Sequence, residues 1–300
     1  MAAAFTRLGT SVTIVDIADR VLPGGQPAAS QAVARAYAAA GIDVRLNARV
    51  SSFDERTRTL AFATEAGAET VADVDAVLVA TGRVANVEAL QLDVAGLTAD
   101  RDGIAVDSWG RTSVPGIWAV GDVTRGSHQT HAANALGRRI VRRLAFRWLP
   151  AFVRPQVIPS AVFSDPEVAW VGPTPTELRR RYHPDLLRHV RVELADTDRG
   201  LTDGVGGFVE ITATRLTGRI VAATCVGPSA SELIGMLTLA MSRRVSMYKL
   251  SRLVFAYPTF AAAIGKAADE FAFATIGGMR AELFAYAKHR FARPAWKIPV

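Results

Sequence analysis

Three features of this sequence predict an α/β chain followed by an α+β domain. Ser11–Asp16 is a β-branched run that ends in an acid, and Gly9 separates it from the apolar Met1–Leu8, as when a helix hands over to a strand. Ile117–Val120 is an apolar run that stops at Gly121-Asp122, the pattern of a short buried strand with a carboxylate at its carboxyl end. Further on, Gly207–Ala213 and Arg219–Gly227 flank Thr217-Gly218, as in an antiparallel hairpin.

Composition narrows the function classes. At 300 residues the chain has room for about two domains. Half of it is apolar, enough for a sizeable core. The net charge is +7, but the basic residues are scattered, so solvated helix faces account for them better than a nucleic-acid partner does. Cys225 is the only cysteine, which excludes an intrachain disulfide and fits a reducing, cytoplasmic setting. No uninterrupted apolar stretch is long enough to span a bilayer.

Taken in order, Met1–Gly9 reads as the last turns of a helix, and Ser11–Asp16 as the strand after it. Asp16 suits either the hydroxyls of an adenine ribose, repelling a 2′-phosphate, or a plain strand-end turn. Arg20 stands nearby. A helix is expected over Ser30–Ala40, ended by Gly41, then a strand at Ile42–Leu46. Thr59–Thr64 and Glu69–Val71 read as paired strands about a Gly67 turn, and Val50 as a core valine on composition alone. Val74–Ala80 predicts a buried strand running into Thr81-Gly82-Arg83, where Gly82 permits close approach of a ligand. Gly103–Asp107 is a further short strand.

Gly121 and Asp122 carry the most chemistry. A glycine there leaves room beside the backbone, and a carboxylate accepts hydrogen bonds from a sugar or polyol hydroxyl. The plainer reading is a turn cap. Thr130, His131 and Ala132 open a helix whose first-turn N–H groups can face an electron-rich ring. Arginines follow along that helix to Arg147, without the interleaved aromatics of a single-strand nucleic-acid binder. His128 and His131 have no partners in the sequence that would make a metal set.

Leu149-Pro150 to Arg154-Pro155 reads as a linker. Ile158–Gly172 opens a new domain, Thr176-Glu177 marks a helix start, and Ala230–Met241 is a core helix. Cys225 lies in an apolar strand, where it reads as a small buried hydrophobe rather than a nucleophile. Beyond Gly277-Gly278, Arg280–Arg293 has a basic, part-apolar helical pattern. It suits packing on a second copy of the chain or contact with an anionic membrane surface.

Several of these segments, in this order, resemble the pyridine nucleotide-disulfide oxidoreductases. The carriers are Thr112–Asp122 with its Gly-Asp end, Ala80-Thr81-Gly82 with Asn86, and Ile158–Gly172. The resemblance implies a truncated Rossmann-like NAD domain at 1–75, the second part of an FAD domain at 76–150, and an interface (dimerisation) domain at 155–270. A basic tail at 271–300 follows. It implies FAD and NAD(H) as cofactors, a homodimer through 155–270 and a small-molecule electron acceptor. The cofactor contacts it implies are Asp16, Val50 (through its backbone, to adenine), Gly82, Gly121, Asp122, Thr130, His131 and Ala132. NADH is favoured over NADPH by Asp16. The first strand and glycine turn of the NAD unit would precede Met1 in the family and are not in the sequence; the first FAD motif is missing too, and without its pyrophosphate-binding turn half of the flavin's cradle is lacking.

The family also has His-Pro-Thr-x-x-Glu near its end, a base and its orienting acid. Here Tyr257-Pro258-Thr259 and Ala262 stand in those places, so both halves of the dyad are replaced. A phenol, ordinarily titrating near pH 10, is a poor base at neutral pH. The expectation is an FAD-dependent NAD(P)H oxidoreductase that works without thiols, passing electrons to a nicotinamide nucleotide or a quinone. A non-catalytic dimerisation module is the alternative.

Overall fold

The computed structural model describes residues 1–126, 128–146, 148 and 157–278, together with 283, 287 and 288. α1 (Ala2–Arg7) ends as a glycine at position 9 dictates. Gly9 takes φ +91°, and the amides of Gly9 and Thr10 return to the carbonyls of Thr6 and Phe5, each at 3.0 Å. This closure satisfies carbonyls that the last turn would leave open. β1 (Thr13–Val15), α2 (Pro27–Ala39) and β2 (Asp43–Arg45) follow. Pro27 starts α2 earlier than the expected Ser30, because proline's fixed φ and missing N–H suit the first turn. β1 and β2 pair in parallel, Thr13 opposite Asp43, so the segment is a βαβ unit. β3 (Arg49–Asp54), β4 (Thr59–Thr64) and β5 (Gly67–Val71) form an antiparallel meander.

From 76 to 158 regular structure is sparse. β6 (Ala99–Asp100) and β7 (Gly103–Ile104) make a minimal antiparallel pair, and α3 (Thr130–Ala145) starts at the residue the sequence predicts. Two expectations fail here. Val74–Ala80 is not a buried strand: it joins no sheet, and Val77, Leu78 and Val79 are 41, 62 and 75% exposed. Ile117–Val120 is not a strand either; Trp118 alone bridges to Arg111, Ala119 is buried, and Val120 is exposed. One cause serves both. An extended run becomes a stable strand only when neighbours pair its amides and carbonyls, and the described residues of this region supply too few. Gly103–Asp107 shortens to β7 in the same way, although Ile104 also bridges Thr124 in parallel.

The last part is densely built. It comprises β8 (Pro159–Val162), β9 (Val168–Val171), α4 (Pro175–Arg181), β10 (Leu187–Glu193), α5 (Asp198–Asp203), β11 (Phe208–Thr214), β12 (Ile220–Val226), α6 (Ala230–Ser242), α7 (Met247–Leu250) and α8 (Ala262–Gly277). The sheet is antiparallel throughout, in the order β10-β11-β12-β9-β8. All seven residues of β12 are buried, so both faces of this central strand are covered. Thr174, not Thr176, caps α4: its side chain accepts from the Glu177 N–H while Glu177 accepts from the Thr174 N–H. α8 runs across the expected start of the tail, with Phe271 and Thr275 fully buried. The expected linker at 149–155 lies outside the described residues, as does the helix at 280–293 apart from 283, 287 and 288.

The chain divides into two compact units, Met1–Asp75 with Pro159–Val300, and Ala76–Ile158. Within the first, α2 contributes Ala29 and Val33, with Val21, to a core shared with Val168, Phe208 and Val226 of the sheet. Ser30 Oγ donates to the Val21 carbonyl at 2.5 Å and fixes the loop before α2. Arg7 and Asp165 form a salt bridge across the same unit.

Candidate cofactor site

Within 76–158, three of the expected segments come together. Arg83, next to Gly82, donates from Nη1 to Asp122 Oδ2 at 3.0 Å and to the His128 carbonyl at 3.1 Å. One guanidinium nitrogen thereby ties the 82–83 turn to the Gly-Asp motif and to the loop entering α3. Gly82 and Gly121 have φ +129° and +86°, conformations that L side chains rarely adopt. The turn after Gly121 is closed by Thr124, whose N–H and Oγ both donate to the Gly121 carbonyl, at 2.9 and 2.7 Å. A Cβ at Gly121 would lie 3.7 Å from Ala133, so this backbone runs beside the first turn of α3.

The α3 N-terminus begins at Thr130, with His131 and Ala132 in its first turn. Gln129 precedes it without a side-chain cap. Such amides seek an external acceptor or water. His128 Nε2 is buried and has no hydrogen-bond partner. The sequence did not single out Arg83. Its signal was a cation immediately after the motif glycine, but only folding brings it to Asp122.

Asp16 and Val50 lie in the other unit. Asp16 follows β1 directly, half-buried; its N–H donates to the Arg45 carbonyl, and its Oδ1 accepts from the Ala18 N–H, both at 2.9 Å. One carboxylate oxygen therefore serves a local turn, and Oδ2 takes no described partner. Val50 is exposed on β3, opposite Phe62, which corrects its reading as a core valine; Phe62 fills the core instead. The meander places Val50 on an edge strand, where its side chain meets solvent.

Tyr257 sits in a turn before α8 and is 74% exposed, with no described hydrogen bond to its phenol. The Thr259 hydroxyl donates to the Ala256 carbonyl at 2.7 Å, which shapes the turn independently of residue 257. Ala262 is the first residue of α8. Cys225, in β12, is fully buried, and burial pushes its thiol up to about 12. No described cluster of three His, Cys, Asp or Glu residues is arranged to hold a metal. No described helix is long and apolar enough to cross a membrane.

A βαβ unit, a Gly-Asp motif braced on a second glycine turn, and a five-stranded α+β domain are the architecture to set beside known proteins. The model for "Pyridine nucleotide-disulphide oxidoreductase" matches residues 1–137, and that family's dimerisation domain matches 158–268. Dihydrolipoyl dehydrogenase of Haloferax volcanii is 31% identical over 274 residues, covering 90% of this chain and 57% of the relative. Dihydrolipoyl dehydrogenase 3 of Pseudomonas putida is 29% identical, with 89 and 58% covered. Among solved structures, LpdA of Mycobacterium tuberculosis superposes with a TM-score of 0.79 at 28% identity, covering 90% of this chain and 58% of that one. The Cu(II) complex of the HOCl-induced flavoprotein disulfide reductase RclA of Escherichia coli gives 0.76 at 25%, with 88 and 61% covered. The chain belongs to the pyridine nucleotide-disulfide oxidoreductase family. FAD and NAD(H) are that family's cofactors. The chain spans under three fifths of the length of the curated relatives named here.

Proposed function

We propose that this chain provides the nicotinamide-side βαβ half-unit, the ribityl-side flavin contacts and the dimerisation domain of an FAD-dependent NAD(P)H oxidoreductase. Its electron acceptor is not a disulfide; a nicotinamide nucleotide or a quinone is the class that fits. The single observation behind this is the turn at 257–262. An exposed phenol without a partner stands where the family has a base, and an alanine stands where the base would be oriented. Neither can hold and return a thiol's proton near neutral pH. Cys225 is no substitute, being buried and un-ionised.

The residues present fit one end of a flavin. Asp122 Oδ1 accepts from no described donor and is open for a hydroxyl, and Gly121, without a side chain, leaves its backbone close to the start of α3. No Gly-x-Gly-x-x-Gly turn occurs in the sequence for the pyrophosphate. FAD, when bound, supplies the two-electron relay between a nicotinamide and the acceptor. Asp16 and the absence of a second basic residue at Pro23 favour NADH over NADPH. A homodimer through 155–270 is supported by exposed apolar residues on that domain, among them Phe163, Leu239 and Val254.

The test is acceptor choice. With FAD added, the purified chain is expected to oxidise NADH with a quinone or a nicotinamide analogue and to leave lipoamide unreduced. Lipoamide reduction at a comparable rate would refute the thiol-independent reading. A second reading, a dimerisation module without catalysis, is favoured by the bare backbone at 76–80. Dimerisation with no flavin binding and no NADH oxidation would select it.

A further inference from the structure

We propose that α3 from Arg138 to its end, with Phe146 and Trp148 after it, docks on an anionic membrane surface. It would lie among the lipid headgroups with its apolar side toward the acyl chains. Charge is the first support. Between Asp122 and Asp165 the sequence carries seven arginines and no acid, and five of the seven fall within 138–147. At about 100° per residue, Arg138, Arg139, Arg142 and Arg143 occupy one arc of about 140° on α3. Leu136, Gly137, Ile140, Val141 and Leu144 occupy the arc opposite, so the helix is amphipathic. The two ends of that apolar arc differ in what covers them. Ile140 is buried, so close to Gly110 that a Cβ there would lie 2.7 Å from its Cδ1. From Val141 to Trp148 every described residue is exposed. Val141 is 65% and Trp148 77% exposed, and Phe146 stands edge-on to the Trp148 ring, 6.2 Å between centroids.

Plainer accounts explain only half of this. Cations in a last helical turn interact favourably with the helix dipole, which accounts for Arg142 and Arg143. The dipole does not account for a bare valine, leucine, phenylalanine and tryptophan beside them. A nucleic acid would engage the arginines through its phosphates and leave the apolar arc in water. An anionic bilayer engages both. Lipid phosphates pair with the guanidinium groups, the apolar side chains enter the acyl boundary, and a tryptophan ring sits between the two zones. Ile140 keeps one end of the helix on the protein, and no described helix is long and apolar enough to cross, so the contact is peripheral.

The test is flotation of the full chain with vesicles of phosphatidylcholine alone, or of phosphatidylcholine and phosphatidylglycerol in equal parts. The chain is expected to float with the anionic vesicles and not with the neutral ones, and to be released as salt is raised. Arg142→Gln with Arg143→Gln is expected to weaken binding about thirtyfold, the effect of two cations near an anionic leaflet. Arg142→Lys with Arg143→Lys keeps the charge and should keep the binding. Val141→Ser with Trp148→Ser should weaken it about tenfold through lost apolar burial. Arg179→Gln with Arg180→Gln removes the same charge from α4 and should leave binding unchanged. All of these side chains are exposed, so every variant should keep the wild-type thermal midpoint. No flotation with anionic vesicles, or an equal loss from the α4 pair, would overturn the proposal. Full binding in Val141→Ser with Trp148→Ser would also overturn it, leaving a charge attraction without a seated helix. If the wild type does not float, and that same variant runs as a smaller species in gel filtration, the stripe belongs to a second copy of the chain.

Discussion

Residues 76–146 and 159–278 use similar sequence material and reach different ends. Each has apolar, β-branched runs. In the second region those runs pair, and β12 is buried at every position. In the first, Val77–Val79 lie open, and burial is confined to scattered residues such as Leu97, Ile104, Ala119 and Ile140. The difference is not hydrophobicity but neighbours. A strand's amides need partners on the next strand, and its side chains need a covering layer. The antiparallel sheet gains partners from hairpins adjacent in the chain, such as β11–β12, and covering from α6 and α8. The segment at 76–80 finds neither among the described residues.

Hydrogen exchange would probe this contrast most strongly. Amides of β11 and β12 are expected to exchange slower than those of 76–80 by several orders of magnitude, since the first open only with the whole domain. Comparable protection in the two would break the comparison and mean that 76–80 pairs in solution, with a second copy for instance. The core itself sharpens it next. Phe271 is fully buried, edge-on to Tyr248, with Arg188 over its ring. Phe271→Ala should cost about 3–5 kcal/mol in urea unfolding, seen in the 159–278 region and not in 76–146. A loss below about 1 kcal/mol would show that α8 is not integral to that core.

The smallest effect concerns the α4 cap. The Thr174 N–H and hydroxyl hold the Glu177 carboxylate below its ordinary range. A depressed carboxylate contributes stability above its unfolded pKa and loses it as pH falls through the folded one. The cap's contribution should therefore be intact at neutral pH and fade as acid is added below about pH 4.3. Thr174→Ala should remove the hydroxyl's part of it at neutral pH while the N–H bond to Glu177 stays, at a cost of about 1 kcal/mol. An acid-side stability profile identical in Glu177→Gln and wild type would show the box to be ornamental.

Much of the second region was legible in the sequence because its signals are local. The Thr217-Gly218 turn, the apolar runs of β11 and β12 and the acid in the first turn of α4 each act within a few residues. The start of α3 at Thr130 was equally plain. The strand at 74–80 was misread because its pattern reports a capacity to be buried, not the presence of something to bury it. The core reading of Val50 failed for a related reason: an apolar residue on an edge strand looks the same in sequence as one in the core. Gly82, Gly121 and Asp122 stood out in the sequence by residue type, whereas Arg83 did not. Its bond to Asp122 spans 39 positions.

By itself the sequence determined the family, most elements outside 74–80 and 117–120, and the presence of a phenol at Tyr257 and an alanine at Ala262, since these are properties of residue type and spacing. Tertiary structure alone decided that α2 shares a core with the distant sheet, and that Arg83 meets Asp122 and the His128 carbonyl. It also decided that Val77–Val79 face water. Pairing and burial are set by which segments meet in space, and no local pattern encodes that meeting.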